Sequence, residues 1–120
     1  MVLVGVDQYA NAKGLKFAVA DQQALRDELV RDDINERQVI LLRDKSEDTK
    51  YLPFKSNIEQ QIKAACELAE RGDMVLVVFS GHGRHIAKKS YICPTDVWMI
   101  RPRWWPWNGS MISSRHQRLI

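Results

Sequence analysis

The 120-residue chain has no apolar stretch approaching the roughly 20 residues that a membrane-spanning helix needs. Nor does a basic segment precede its apolar start, Met1-Val2-Leu3-Val4-Gly5, so neither a membrane partner nor export is expected. Cysteine is scarce. Cys66 and Cys93 form no metal or disulfide spacing and read as buried thiols of a reducing compartment, which points to the cytoplasm. Acidic residues are missing altogether after Asp96. Residues 1–96 carry 14 Lys and Arg against all 15 Asp and Glu, while residues 97–120 carry Arg101, Arg103, Arg115 and Arg118, so the net charge of +3 belongs to the tail. Beyond Arg84, Lys88 and Lys89 the first 96 residues show no basic stripe, which argues against a nucleic-acid partner. At this length the chain is at most one domain, long enough for a core but short for a complete α/β enzyme.

Apolar runs alternate with segments of helical period, a pattern of βαβ units around a parallel sheet. Strands are expected over residues 2–6, 39–42 and 74–79. One helix is expected over residues 18–31, with Ala20, Ala24, Leu25 and Leu29 on its buried face. A second opens with the capping-box pattern Ser56-Asn57-Ile58-Glu59 and places Ile58, Ile62, Ala65, Cys66 and Ala69 at helical spacing before Gly72 ends it. The fold class is therefore α/β, a three-layer sandwich with a mostly parallel sheet flanked by helices. Right-handed crossovers bring the strand ends to one edge, so that Asp7, Asp21 and His82 are expected to be neighbours.

Residues 74–79 are apolar without alternation, as suits a strand covered on both faces. Directly after them, Ser80-Gly81-His82-Gly83 puts a histidine between two glycines at the carboxyl end of that strand, where open α/β sheets carry their chemistry. Histidine titrates near neutrality and passes protons both ways, which fits general acid/base work. A glycine-rich turn with an idle histidine is the plainer reading of the same residues.

Phe79-Ser80-Gly81-His82-Gly83 resembles the histidine motif of the caspase and metacaspase cysteine peptidases, and Ile92-Cys93-Pro94-Thr95-Asp96 resembles the Ile-x-Pro-x-Asp segment that follows it in metacaspase-like members. Upstream, Val2-Leu3-Val4-Gly5-Val6-Asp7-Gln8-Tyr9 is similar to the family's first strand and its exit, and Ala18-Val19-Ala20-Asp21 to the start of its first helix. The resemblance covers residues 2–96 and implies the amino-terminal part of a caspase-like fold acting on a protein or peptide substrate without a cofactor. It implies that His82 donates the proton to the leaving amine, that the Gly83 main-chain N–H helps to hold the oxyanion, and that Ser80 and Asp21 line a pocket for a basic residue before the cut. Each matched residue also has a structural explanation. Asp21 suits the first turn of any helix, and Ser80 and Asp96 suit turns. Asp7 and Tyr9 stand where they could meet substrate or hydrogen-bond the loop. His85, three residues after His82, gives too few ligands for zinc, and no metal is expected.

Two departures from the family stand out. The catalytic cysteine follows the histidine by about 50 residues in caspases, which from His82 lies beyond Ile120, and no Asp-x-Cys segment occurs in the chain. Cys93 falls within the Ile-x-Pro-x-Asp match and reads as a packed strand residue. Between the two motifs stand Arg84, His85, Lys88 and Lys89, where calcium-dependent members carry acids, so calcium dependence is not implied. After Asp96 all four tryptophans, Trp98, Trp104, Trp105 and Trp107, crowd beside Pro102 and Pro106 without helical or strand period. Residues 97–120 are thus read as an atypical tail outside the native domain, as from a wrong reading frame or a broken gene. The expectation is a caspase-like cysteine endopeptidase cutting after Arg or Lys, present as a fragment without its nucleophile and inactive as given. The rivals are a non-catalytic pseudo-peptidase that binds a peptide or partner, and a Trp/Arg tail that contacts nucleic acid or membrane.

Overall fold

The computed structural model describes residues 1–10 and 12–96, together with the backbone of Trp105–Pro106. Strand β1 (Val2–Gly5) leads into helix α1 (Ala18–Arg31), strand β2 (Ile40–Arg43), helix α2 (Lys55–Leu68) and strand β3 (Val77–Ser80). The three strands form a parallel sheet in the order β2-β1-β3, with Val2 opposite both Ile40 and Val77 and Gly5 opposite both Arg43 and Ser80. Each boundary lies within a few residues of the sequence expectation, and α1 spans the residues expected of it. The switch from β2 on one side of β1 to β3 on the other opens a crevice at the carboxyl ends of β1 and β3.

Alternation along β1 divides its side chains between two layers. Val2, Val4 and Val6 pack with Leu42 of β2 and with Ile58 and Ile62 of α2, all at most 2 % exposed. Burying an aliphatic side chain of this size contributes on the order of 2 kcal/mol. Gly5 turns to the opposite face, where a Cβ would stand 2.8 Å from both the Ala18 carbonyl oxygen and the Val19 Cα. The start of α1 can approach the sheet that closely because residue 5 has no side chain. The two helices therefore lie on opposite faces, and the expected three-layer α/β arrangement is present.

The buried face of α1 is rotated from the expected one. Ala20 and Ala24 are exposed, and the stripe runs through Ala18, Gln22, Leu25 and Leu29. The sequence conceals this because position 22 is polar: Gln22 is only 5 % exposed, and its Oε1 has no partner among the described residues. Strand β3 also departs from expectation. Its residues are half-buried rather than covered on both faces, because among the described residues a strand lies only on its β1 side.

Neither helix is capped from within its own first turn. The Asp7 carboxylate, from the exit of β1, accepts the Ala18 N–H at 2.8 Å and the Val19 N–H at 3.4 Å. Asp96, 41 positions downstream, accepts the Lys55 N–H at 3.0 Å. The expected capping box at Ser56 is not the device used, since the helix begins one residue earlier with Phe54 at its N-cap. Buried Asp44, just past β2, ties these ends together: it accepts the main-chain N–H groups of Asp7 and Gln8 and the Thr95 hydroxyl.

After β3 the chain forms a hairpin of β4 (Gly83–Ile86) and β5 (Lys89–Ile92), with the backbone of Trp105–Pro106, β6, paired to β5. The two-residue turn Ala87-Lys88 has φ of 49° and 65°, the left-handed pair of a type I′ turn. Such turns are ordinarily announced by Asn-Gly or Asp-Gly. Here that signal is lacking, and His85 accordingly stands on a strand and not on the expected loop. The remaining tail residues, including Trp98, Trp104 and Trp107, lie outside the described residues.

Candidate active site

His82 stands at the crevice between the ends of β1 and β3, two residues beyond the end of β3. Its placement is governed by the exit of β1. The Tyr9 hydroxyl accepts the His82 main-chain N–H at 2.7 Å, and the two rings lie 4.5 Å apart at 46°. Gly81 makes this approach possible, because a Cβ there would stand 2.6 Å from the Tyr9 hydroxyl and 2.8 Å from the Phe79 ring. Burial pushes the Tyr9 phenol well above its usual range, opposed by the bond from His82. The hydroxyl remains protonated, and with it the acceptor that seats the histidine.

The imidazole itself has a fixed orientation. Nε2 lies 2.7 Å from the Lys13 carbonyl oxygen, which can only accept, so the ring donates from Nε2. In the neutral ring Nδ1 is then the basic nitrogen. A general base or acid needs one nitrogen committed to a positioning group and the other left for the reacting atoms, and this is that arrangement.

Gly83 opens β4 opposite Ile92. The bond from Cys93 N–H to the His82 carbonyl, 2.9 Å, makes Gly83 and Ile92 a non-hydrogen-bonded pair. The Gly83 N–H consequently points away from β5, next to His82, as a main-chain donor to anything bound beside the histidine. Ser80 is half-buried at the end of β3, its carbonyl accepting the Val6 N–H at 2.9 Å. Asp21 is exposed in the first turn of α1. His82, Gly83 and Ser80 thus share one strand end, while no hydrogen bond or ion pair ties Asp21 to them among the described residues.

Among the described residues no hydrogen bond or ion pair joins Asp7, Asp21 and His82 directly. Asp7 spends its carboxylate on the N-terminus of α1, and His82 is held by Tyr9 and Lys13. The Asp7 main-chain carbonyl does bond the loop, accepting the Leu15 N–H at 2.8 Å. Asp96 does lie in a turn, and it caps α2 as well. The positioning groups were not legible in advance. Tyr9 drew notice only through its place at a strand end, and the Lys13 carbonyl is a backbone group that leaves no trace in residue type.

Neither cysteine is set up as a nucleophile. Cys93 lies one residue past β5 and is 4 % exposed, and burial pushes its thiol up to about 11 even though Arg84 acts in the other direction. The half-buried Cys66 thiol on α2 is also raised by burial. A thiol so shifted is a poor source of thiolate at neutral pH. Among the described residues no three His, Cys, Asp or Glu side chains gather as metal ligands, and His85 Nδ1 lies 3.2 Å from the Ser90 hydroxyl.

Residues 1–113 match the family model for the metacaspase, peptidase C14 domain. The chain belongs to that family. Among curated proteins nothing matches it. Metacaspase membership makes the chain one of a family of caspase-like cysteine peptidases, hydrolases whose substrates are proteins. The matched span continues past Asp96 into the part of the metacaspase chain where the composition changes. No helix among the described residues is long and apolar enough to cross a membrane.

Proposed function

We propose that this chain carries the acid/base and oxyanion half of a Cys-His endopeptidase site. The observation that carries the reading is the His82 ring, held through Nε2 by the Lys13 carbonyl so that Nδ1 is left for the reacting atoms. In this reading a cysteine thiolate, which these residues do not supply, attacks the scissile carbonyl. His82 gives a proton to the departing amine, and the Gly83 N–H stabilises the oxyanion. Asp21 and Ser80 form the pocket for the residue before the cut. A carboxylate there pairs with Arg or Lys by charge-assisted hydrogen bonds, so cleavage follows basic residues. We assign the segment through Asp96, whose carboxylate caps α2, to the integrated domain.

The test joins residues 1–96 to an in-frame nucleophile segment containing Asp-x-Cys and follows fluorogenic peptides ending in Arg, Lys or Asp. His82→Ala is expected to abolish turnover, and Asp21→Asn to cost about 2 kcal/mol in kcat/KM for basic substrates. Preference for Asp, or indifference to Asp21→Asn, overturns the pocket assignment. The 120-residue chain alone is expected to show no turnover.

A second reading rests on the buried, high-pKa Cys93 together with the lack of any Asp-x-Cys segment. In it the same crevice binds a peptide without cutting it. Recovery of the coding sequence with an Asp-x-Cys strand about 50 codons after His82 decides for the enzyme.

A further inference from the structure

The far side of the sheet from His82 carries a second feature, independent of the catalytic reading. Among the described residues strand β2 is the outer strand there, with β1 as its neighbour and β3 beyond. The Ile40 N–H donates to the Met1 carbonyl, which sets the direction of every backbone group along the strand. Ile40 and Leu42 face β1, while Leu41 and Arg43 turn their N–H and C=O groups outward. Among the described residues these outward groups meet no partner. Natural edge strands are commonly blocked by a charge, a proline or a covering loop, and an edge left open is a template for another strand.

A cleft of about 490 Å³ runs along this edge, lined by Arg26, Arg37, Arg43, Glu36, Leu41 and Tyr51 among others. Its charges do not cancel. Arg26 is paired with Glu36, and nearby Asp48 is taken by Lys50, whose ammonium also sits 4.8 Å over the Tyr51 ring. Glu36, the acid among the lining residues, is therefore taken by a partner of its own. The Arg37 and Arg43 guanidinium groups, by contrast, have no partner among the described residues.

We infer that β2 takes up an acidic, extended peptide segment of another protein as an added strand. The outward groups of Leu41 and Arg43 pair with its backbone, Leu41 and Tyr51 receive its apolar side chains, and Arg37 and Arg43 bind its carboxylates. Main-chain pairing supplies affinity in such additions, and the side chains along the groove supply the choice of sequence. A nucleic acid would use the cations but leave the strand edge unpaired. The surface is an exosite: it recruits an acidic partner at a distance from the crevice that holds His82.

The experiment uses the full 120-residue chain, labelled with nitrogen-15, and a capped peptide of roughly eight residues that alternates Glu with Val. Saturable binding with amide shifts centred on Leu41 and Arg43 is expected. Arg37→Glu with Arg43→Glu should weaken it by about tenfold or more, and higher salt should weaken it too. The unaltered protein should fail to bind the same peptide with its alternate amides N-methylated, an arm that does not depend on any variant folding. No saturable binding, equal binding of the methylated peptide, undiminished binding by the charge-reversed variant, tighter binding of an oligonucleotide of equal charge, or shifts centred on His82 would each overturn the proposal.

Discussion

Tyr9 and His82 are 73 positions apart, yet the Tyr9 hydroxyl accepts the His82 main-chain N–H at 2.7 Å and its ring packs against the imidazole at 4.5 Å. This pair joins the ends of β1 and β3 across the crevice. It also explains why a glycine precedes the histidine, since the hydroxyl occupies the space that a residue-81 side chain would need.

Tyr9→Phe should keep the ring contact and lose the acceptor, leaving the His82 N–H unpaired. A loss of about 1–2 kcal/mol is expected in urea unfolding. Gly81→Ala should cost about 1–3 kcal/mol through overpacking. Because the added methyl meets the hydroxyl that Tyr9→Phe removes, the double variant should be more stable than the sum of the two losses implies. Strict additivity would mean that the two residues do not share this space.

The remote caps make a second test. Asp7→Ala and Asp96→Ala each remove a carboxylate from a helix N-terminus and should each destabilise the chain by about 1–2 kcal/mol. Hydrogen exchange should localise the loss, the first variant loosening the start of α1 and the second the start of α2. If Asp96→Ala leaves α2 protection unchanged, the segment ending at Asp96 is not integrated with the helix.

Gln22→Met should raise stability by about 1 kcal/mol or leave it unchanged, since the glutamine buries an amide oxygen without a partner and methionine fills similar volume. Thermal unfolding measures this directly. A clear loss of stability would show that the amide is satisfied in solution.

Alkaline stability should report Cys93. Its folded pKa is raised to about 11 by burial, against about 8.5 for an unfolded cysteine. Between these values the unfolded state releases the proton and the folded state keeps it. The stabilising contribution is therefore complete below the unfolded value and is lost as pH climbs toward the folded one. Denaturation midpoints should fall across that window, and Cys93→Ala should flatten the fall. Tyr9, also raised by burial, sustains a decline at still higher pH. Iodoacetamide at neutral pH should label half-buried Cys66 before Cys93.

Local pattern was enough to find the three parallel strands and both helices, because apolar runs and helical periodicity are properties of adjacent residues. It was also enough to single out His82, since a histidine between glycines at a strand exit is a contiguous signal that resembles a known motif. The rotation of α1 escaped it, for a buried Gln22 reads as a surface residue until the helix is set against Gly5. The hairpin escaped it too, because Ala87-Lys88 adopts left-handed torsions without the residues that favour them. What tertiary structure alone decided is which groups hold the histidine, a phenol 73 residues away and a carbonyl 69 residues away, and which carboxylates cap the two helices. Each of these hydrogen bonds has a backbone atom, common to every residue, at one end, and each comes into being only when the fold brings separate segments together.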